Sequence, residues 1–435
     1  MKRKLWGWAL LAGLALGLAA CDNVEELDDL GDGGTGADTD ADGDADTDAD
    51  LTFTGVDLLV MIDDSISMGE EQAILATAMY SLVSALTSPL PTMSYSAVEE
   101  IRIAVITSNM GFSADGEVMD DHWPHPAVSS CEGKGDNGHF QEINVADVEI
   151  SNDLIPCDES ASQCPPGWSC ANIDEYGVGA CNGADETVVC PELAPDWAET
   201  ALGDPNPEIA AQAACLVRQG ASGCGFEQQL QSAATALAVG DQESFLHPTH
   251  LLAILMVSDE EDCSMQFAYI EGEEKGLFEE DEVVMEELLK INTACGNHPE
   301  DLFASSHFYG AFTEVKGEGR ACDVVFAALV GVPYEGAGAA ACQGFGNQLG
   351  DCLDQDDMQL VEEQPNAPAE DTWFFRPACT RGPEGDETTI AYPGRRYVEL
   401  ANESFGERGF VYSICNEDWS PAVDMINQLI ESRLD

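Results

Sequence analysis

Residues 56–62, Val-Asp-Leu-Leu-Val-Met-Ile, are apolar except for Asp57, and they run directly into Asp63-Asp64-Ser65-Ile66-Ser67. A short, almost unbroken apolar run containing Val and Ile and stopped by polar residues predicts a strand buried on both faces of a parallel sheet. The next stretch, 70–86, has helical character. Asp63, Ser65 and Ser67 therefore fall on a strand-to-helix turn at the carboxyl end of the strand, the edge where open α/β sheets bind ligands. One carboxylate and two hydroxyls suit a hard divalent cation, because Mg2+ and Ca2+ take oxygen ligands. The plainer use of the same serines is to cap the helix that follows.

The pattern returns later in the chain. Residues 251–258, Leu-Leu-Ala-Ile-Leu-Met-Val-Ser, are as apolar as the first run and stop at Asp259. If the two strands lie side by side and parallel, Asp63 and Asp259 project from the same edge. Further strands are expected at 101–108, 302–312 and 409–414. Phe226, Leu230, Ala233, Ala234 and Leu237 fall at helical spacing, and helices are expected at 280–293 and 421–434, with a short one within 345–361. Pro421 sits at a favoured early helical position. Strands alternating with helices place the chain in the α/β class, with a mostly parallel central sheet covered by helices on both faces.

Two stretches break the alternation. Residues 113–214 are rich in Gly, Pro, Asp and Cys and carry Cys131, Cys157, Cys164, Cys170, Cys181 and Cys190. With so little apolar material, this cysteine-rich insertion is expected to be stapled by disulfides, whose pairing the sequence leaves open. His partners at zinc-finger distances are lacking. A second irregular insertion is expected at 316–395. Two His-x-x-His pairs, His122 with His125 and His247 with His250, have the look of metal pairs, but the second lies at the sheet edge opposite Asp63.

Sixteen cysteines imply an oxidising compartment. The amino terminus agrees: Lys2-Arg3-Lys4 precedes an apolar stretch, 5–18, too short for a confident membrane span. Leu18-Ala19-Ala20-Cys21 resembles a bacterial lipobox, which implies a signal peptide over 1–21 with Cys21 as the lipidated residue and membrane anchor; the alternative is ordinary signal cleavage near the same alanines. Fifteen cysteines then remain, and an odd number leaves one thiol free or paired with another chain. Residues 22–50 hold thirteen acidic residues and no basic one. Asp38-x-Asp40-x-Asp42-Gly43 opens like an EF-hand loop but has Ala49 where the final Glu belongs. An extended, self-repelling linker is the expectation. A net charge of −66 argues against nucleic acid and against an anionic membrane surface as partners.

The Asp63-x-Ser65-x-Ser67 loop and Asp259 together resemble the metal-ion-dependent adhesion site of von Willebrand factor type A (vWA) domains. In that family the loop supplies three ligands, and an Asp after the fourth main strand completes the site through water. Ile66 stands where the family often has Gly. Ser222, within Gly220-Ala221-Ser222-Gly223, stands in for the family's Thr ligand. The resemblance implies a Rossmann-like vWA domain over 51–435, interrupted by the two insertions. It implies Mg2+ as the cation, with Ca2+ or Mn2+ as alternatives, and a protein partner whose acidic side chain becomes the last ligand. Glu260, Glu261 and Asp262 would repel such a partner, or one of them would bind the metal and favour Ca2+, or they simply cap the next helix and are solvated. Lipobox, linker and insertion resemble vWA lipoproteins of Gram-negative bacteria of the myxobacterial type. The cell envelope follows as the expected location, at the outer membrane or cell surface, or on the inner membrane facing the periplasm. The expected role is that of a binding module and not an enzyme. The alternatives are a scaffold that binds its partner through the cysteine-rich insertion without metal, and a hydrolase. For the hydrolase, no Gly-rich phosphate loop or nucleophile elbow is visible. A phosphotransferase of the haloacid dehalogenase type would need an Asp where Ser65 stands.

Overall fold

A computed structural model of the chain describes residues 53–434, apart from 94–95, 112–134, 152–153, 175, 184–185, 192–196, 204–205, 240–243, 266–267, 271–272, 276–290, 364–373 and 383–387. The expected signal peptide, Cys21, the acidic linker, His122, His125 and Cys131 lie outside the described residues. Among the described residues no helix is long and apolar enough to cross a membrane.

The core is a seven-stranded sheet. In chain order its strands are β1 (Gly55–Ile62), β2 (Ile101–Thr107), β3 (Ala198–Thr200), β4 (His250–Ser258), β5 (Val324–Val330), β6 (Gly344–Phe345) and β7 (Gly409–Ser413). In space the order is β6-β7-β5-β4-β1-β2-β3. The five inner strands are parallel, and the short rim strands β3 and β6 run antiparallel to their neighbours.

Burial on both faces explains why β1 and β4 read as unbroken apolar runs. Leu58, Val60 and Ile62 point into one core, with the helices α1 (Gly69–Thr87), α2 (Ile209–Leu216) and α6 (Ser420–Leu434). Leu59 and Met61 point into the other, with α3 (Gln229–Ala238), α4 (Ser305–Glu314) and α5 (Arg395–Glu399). The one charge inside β1, Asp57, is fully buried and answered at the amino-terminal edge: its Oδ1 lies 2.8 Å from His250 Nδ1, and its Oδ2 accepts from the His247 amide. A buried carboxylate needs such partners.

Four expectations are corrected. Residues 302–312 form no strand. Phe308 and Phe312, four apart, are the buried face of helix α4. The span 316–395 is not simply irregular, because β5, Val-Val-Phe-Ala-Ala-Leu-Val, is a wholly buried inner strand between β4 and β7. The sheet layer also resumes earlier than 215, with β3 and α2 inside the stretch read as insertion. Of the helix expected at 280–293, the described part belongs to Ile291–Asn297. Within 345–361 three single turns of 3-10 helix stand in place of one helix.

The insertion is stapled as expected. Cys157–Cys170 and Cys164–Cys181 knit its small strands, and Cys190–Cys215 ties it to α2. Outside it, Cys263–Cys295, Cys342–Cys352 and Cys379–Cys415 are bonded, and no described cysteine is free. The expected odd thiol is therefore not among the described residues.

Candidate metal centre

The parallel register sets the two strand ends side by side. Ile62 pairs with Val257, and the Asp63 amide donates to the Val257 carbonyl at 2.9 Å. Asp63 is fully buried and held from three sides. Its Oδ1 accepts from the Ser65 amide at 2.8 Å and from Ser108 Oγ at 3.4 Å, and its Oδ2 accepts from Ser258 Oγ at 2.7 Å. Ser65 Oγ lies 3.0 Å from Ser67 Oγ, and Ser67 tempers the rise of the Asp259 carboxyl that burial causes. Asp63, Ser65 and Ser67 thus form one connected group, with Asp259 at the end of the neighbouring strand. Ser65 caps nothing by its side chain, and neither does Met68 at the start of α1.

Ser222 does not join them. It is exposed, on a loop whose backbone closes on the neighbouring Asp64: the Gly223 amide donates to the Asp64 carbonyl at 2.8 Å. Gln72 holds the same loop, bonding the carbonyls of Asp63 and Gly220 and accepting from the Gly220 amide. The group that this loop does deliver is Glu227, just ahead of α3. Glu227 and Asp259 are each 2% exposed, yet Glu227 Oε1 and Asp259 Oδ1 have no hydrogen-bond partner. Glu227 had no signal in the sequence beyond its place after the buried Phe226, because only the fold shows that its carboxylate turns inward.

Desolvation dominates the electrostatics. Burial lifts the Asp63 carboxyl above its ordinary value against the pull of its serine partners. Burial, then the charges of Asp63 and Glu260, raises Asp259 well above normal. Burial, then Glu260 and Asp63, does the same to Glu227. Asp64 is pushed up to about 7 by burial and by Asp63 and Asp136. Acids crowded together with orphaned buried oxygens favour either protons or a bound cation.

The acidic run after β4 divides its work. Asp262 Oδ1 accepts from the Leu230 amide at 2.9 Å in the first turn of α3, and its Oδ2 pairs with Arg396 Nε at 2.9 Å. Glu261 accepts from the Arg395 and Arg396 amides, where a carboxylate suits the start of α5. Neither is the free rim charge that the sequence suggested, and only Glu260 is felt at the Asp63 cluster. The second irregular span covers the site: Arg381 and Thr389 reach the buried Glu71 of α1, and the Tyr392 amide donates to the Asp259 carbonyl at 2.8 Å.

Two other metal candidates dissolve. Cys157, Cys164 and Cys181 are the one described group of three whose donor atoms all lie within 4.8 Å of each other, but their sulfurs are spent in disulfides. His250 is bonded to Asp57 and lies 3.4 Å from Glu100, while His247 Nδ1 lies 3.1 Å from Thr249 Oγ1, so these histidines are structural partners at the opposite edge. Among the described residues no three carboxylates meet that 4.8 Å spacing, so a cation here would be reached partly through serine hydroxyls and water. Those donors, all oxygen, fit Mg2+, Ca2+ or Mn2+.

No family model matches the chain, and no curated protein matches it. Among solved structures it is similar to the pilus adhesin RrgA from Streptococcus pneumoniae, at 10% identity and a TM-score of 0.25, over 87% of this chain and 42% of that one. The chain thus spans less than half of the adhesin's length.

Proposed function

We propose that the chain is a vWA-like binding module that holds a divalent cation at Asp63, Ser65, Ser67 and Asp259 and presents it to a protein partner. The observation that carries this reading is the arrangement itself: the Ser65 amide donates to Asp63, Ser65 touches Ser67, and Asp259, at the end of the strand paired with β1, keeps a buried oxygen without a partner. Hydroxyls and water put little negative charge on a cation, so it stays electrophilic and can take an acidic side chain of the partner as its last ligand. Mg2+ suits that role because it retains waters. Lipid anchoring through Cys21 at the cell envelope belongs to the same proposal and rests on the lipobox alone.

The test is thermal unfolding in Mg2+, Ca2+, Mn2+ or EDTA, beside Asp63→Ala. A ligand at about 100 times its dissociation constant adds roughly 2.7 kcal/mol, a shift of a few degrees. The native chain gains that shift and the variant does not. A native midpoint that ignores every cation sinks the reading.

A second reading is favoured by the exposed apolar side chains of the stapled insertion, Tyr176 at 70% and Val189 at 77% exposure. There the fold is a scaffold, and partner binding survives EDTA.

A further inference from the structure

Between α6, the middle of α1 and the stapled insertion lies a cavity of about 730 Å³, well inside the size range of ligand sites. The buried Leu90 and Val423 and the half-buried Leu154 and Val178 give it apolar walls. Helix α6 supplies its polar side. Asn427 lines the cavity from mid-helix and is 2% exposed, yet neither its Oδ1 nor its Nδ2 has a hydrogen-bond partner. Val423 and Ile430, four residues before it and three after, are core residues, so packing alone calls for a third apolar side chain there. An unpaired buried amide destabilises the fold. The last side-chain torsion of Asn is broad, so the amide can turn toward a ligand in the cavity it lines. It offers a donor and an acceptor side by side, the complement of a peptide group.

Charge selects the kind of peptide. The lining holds Asp424 and Glu431 and no Lys, Arg or His. Partial burial, then Asp418, raises the Asp424 carboxyl, and a cation beside it favours the charged form. The two acids stand on α6 with Asn427 between them, separated by about 10 Å of helix. Roughly three residues of extended chain span that length. We propose that this cavity binds an extended basic segment of a partner protein, whose backbone pairs with Asn427 and whose Lys or Arg side chains answer Asp424 and Glu431. A second copy of this chain, at a net charge of −66, carries the wrong sign for the place, and so does its own acidic stretch 22–50. The same net charge draws a basic partner in from a distance.

The proposal is independent of the cation loop, and its test uses the full native chain at about 0.15 M salt, where loose surface attraction is screened. The probe is acetyl-Lys-Ala-Lys-amide, followed by nuclear magnetic resonance through the side-chain amide signals of the isotope-labelled chain. The Asn427 pair is the one absent from Asn427→Leu. The peptide shifts that pair with a dissociation constant of about 1 mM or below. Acetyl-Glu-Ala-Glu-amide leaves it in place, and cadaverine, with two ammonium groups and no peptide group, moves it far less. Read from the backbone signal of Gln428, the lysine peptide binds about fivefold more weakly to Asp424→Asn with Glu431→Gln. It binds about tenfold more weakly to Asn427→Leu. Without peptide, Asn427→Leu melts above the native chain, because the exchange nearly conserves volume and removes the unpaired amide, and this shows that the variant folds. Asp63→Ala and EDTA leave peptide binding unchanged, whatever becomes of the cation reading. An Asn427 pair that ignores the lysine peptide overturns the proposal. An equal response to cadaverine also overturns it, because the effect is then surface charge alone. Asn427→Leu melting below the native chain makes the amide a paired structural group, and the proposal fails. Loss of binding in EDTA assigns the peptide to the cation loop, and the proposal fails there too.

Discussion

At the scale of single residues, the candidate site depends on a contact that no motif contains. A Cβ added to Gly223 would sit 2.1 Å from the Asp64 carboxylate, so only glycine lets the loop ahead of α3 close on the Asp-x-Ser-x-Ser turn. Gly223→Ala is expected to cost about 1–3 kcal/mol through overpacking and to weaken the cation-induced shift, read from melts with and without Mg2+. The buried acids give a pH prediction. Asp64 has an ordinary value of 3.8 and a folded value of about 7, so the folded state holds its proton more tightly. Its contribution to stability is full below the unfolded value and is lost as pH rises through the folded one. In EDTA the midpoint is therefore higher at about pH 5 than at about pH 8, saturating cation narrows the gap, and Asp64→Asn flattens the metal-free profile. Asp63, Ser65, Ser67 and Asp259 were legible in the sequence because two strand ends with fixed spacing name them. Ser222, the hydroxyl expected in the third loop, is exposed. A search for a hydroxyl in register finds that exposed serine, whereas the residue turned inward is Glu227, and burial is a property of the whole fold.

At the scale of elements, legibility followed the environment of each strand and helix. The strands β1, β2, β4 and β7 could be read because burial on both faces demands an unbroken apolar run, and α1 and α6 because they are long. The strand β5 satisfies the same rule, but Gly- and Cys-rich neighbours on both sides mask it. Helix α4 is short, and its aromatic content reads as a strand unless the four-residue step from Phe308 to Phe312 is given weight. The stapled insertion makes its own prediction. Cys164–Cys181 closes a separation of 17 residues, for which chain entropy gives roughly 3 kcal/mol. Replacing both cysteines by alanine is expected to expose the insertion to limited proteolysis and lower the midpoint, while the Mg2+ shift persists. A lost shift would mean that the insertion shapes the cation loop directly.

At the scale of the whole molecule, charge dominates. A net charge of −66 repels itself in the compact state, and salt relieves it over a Debye length of roughly 8–10 Å. Raising NaCl from about 0.05 to about 0.5 M is expected to lift the midpoint of the native chain and of Asp63→Ala alike, whereas divalent cation at fixed ionic strength lifts only the native chain. Equal divalent shifts in both would reduce the cation effect to screening. The same sheet that gathers the acids is finished at each rim by a very short antiparallel strand, three residues in β3 and two in β6. Short rims offer a neighbouring chain few backbone groups to zip onto. Many copies can then stand shoulder to shoulder at high density, each kept at a distance by its like-charged neighbours, without their sheets fusing into a common fibre.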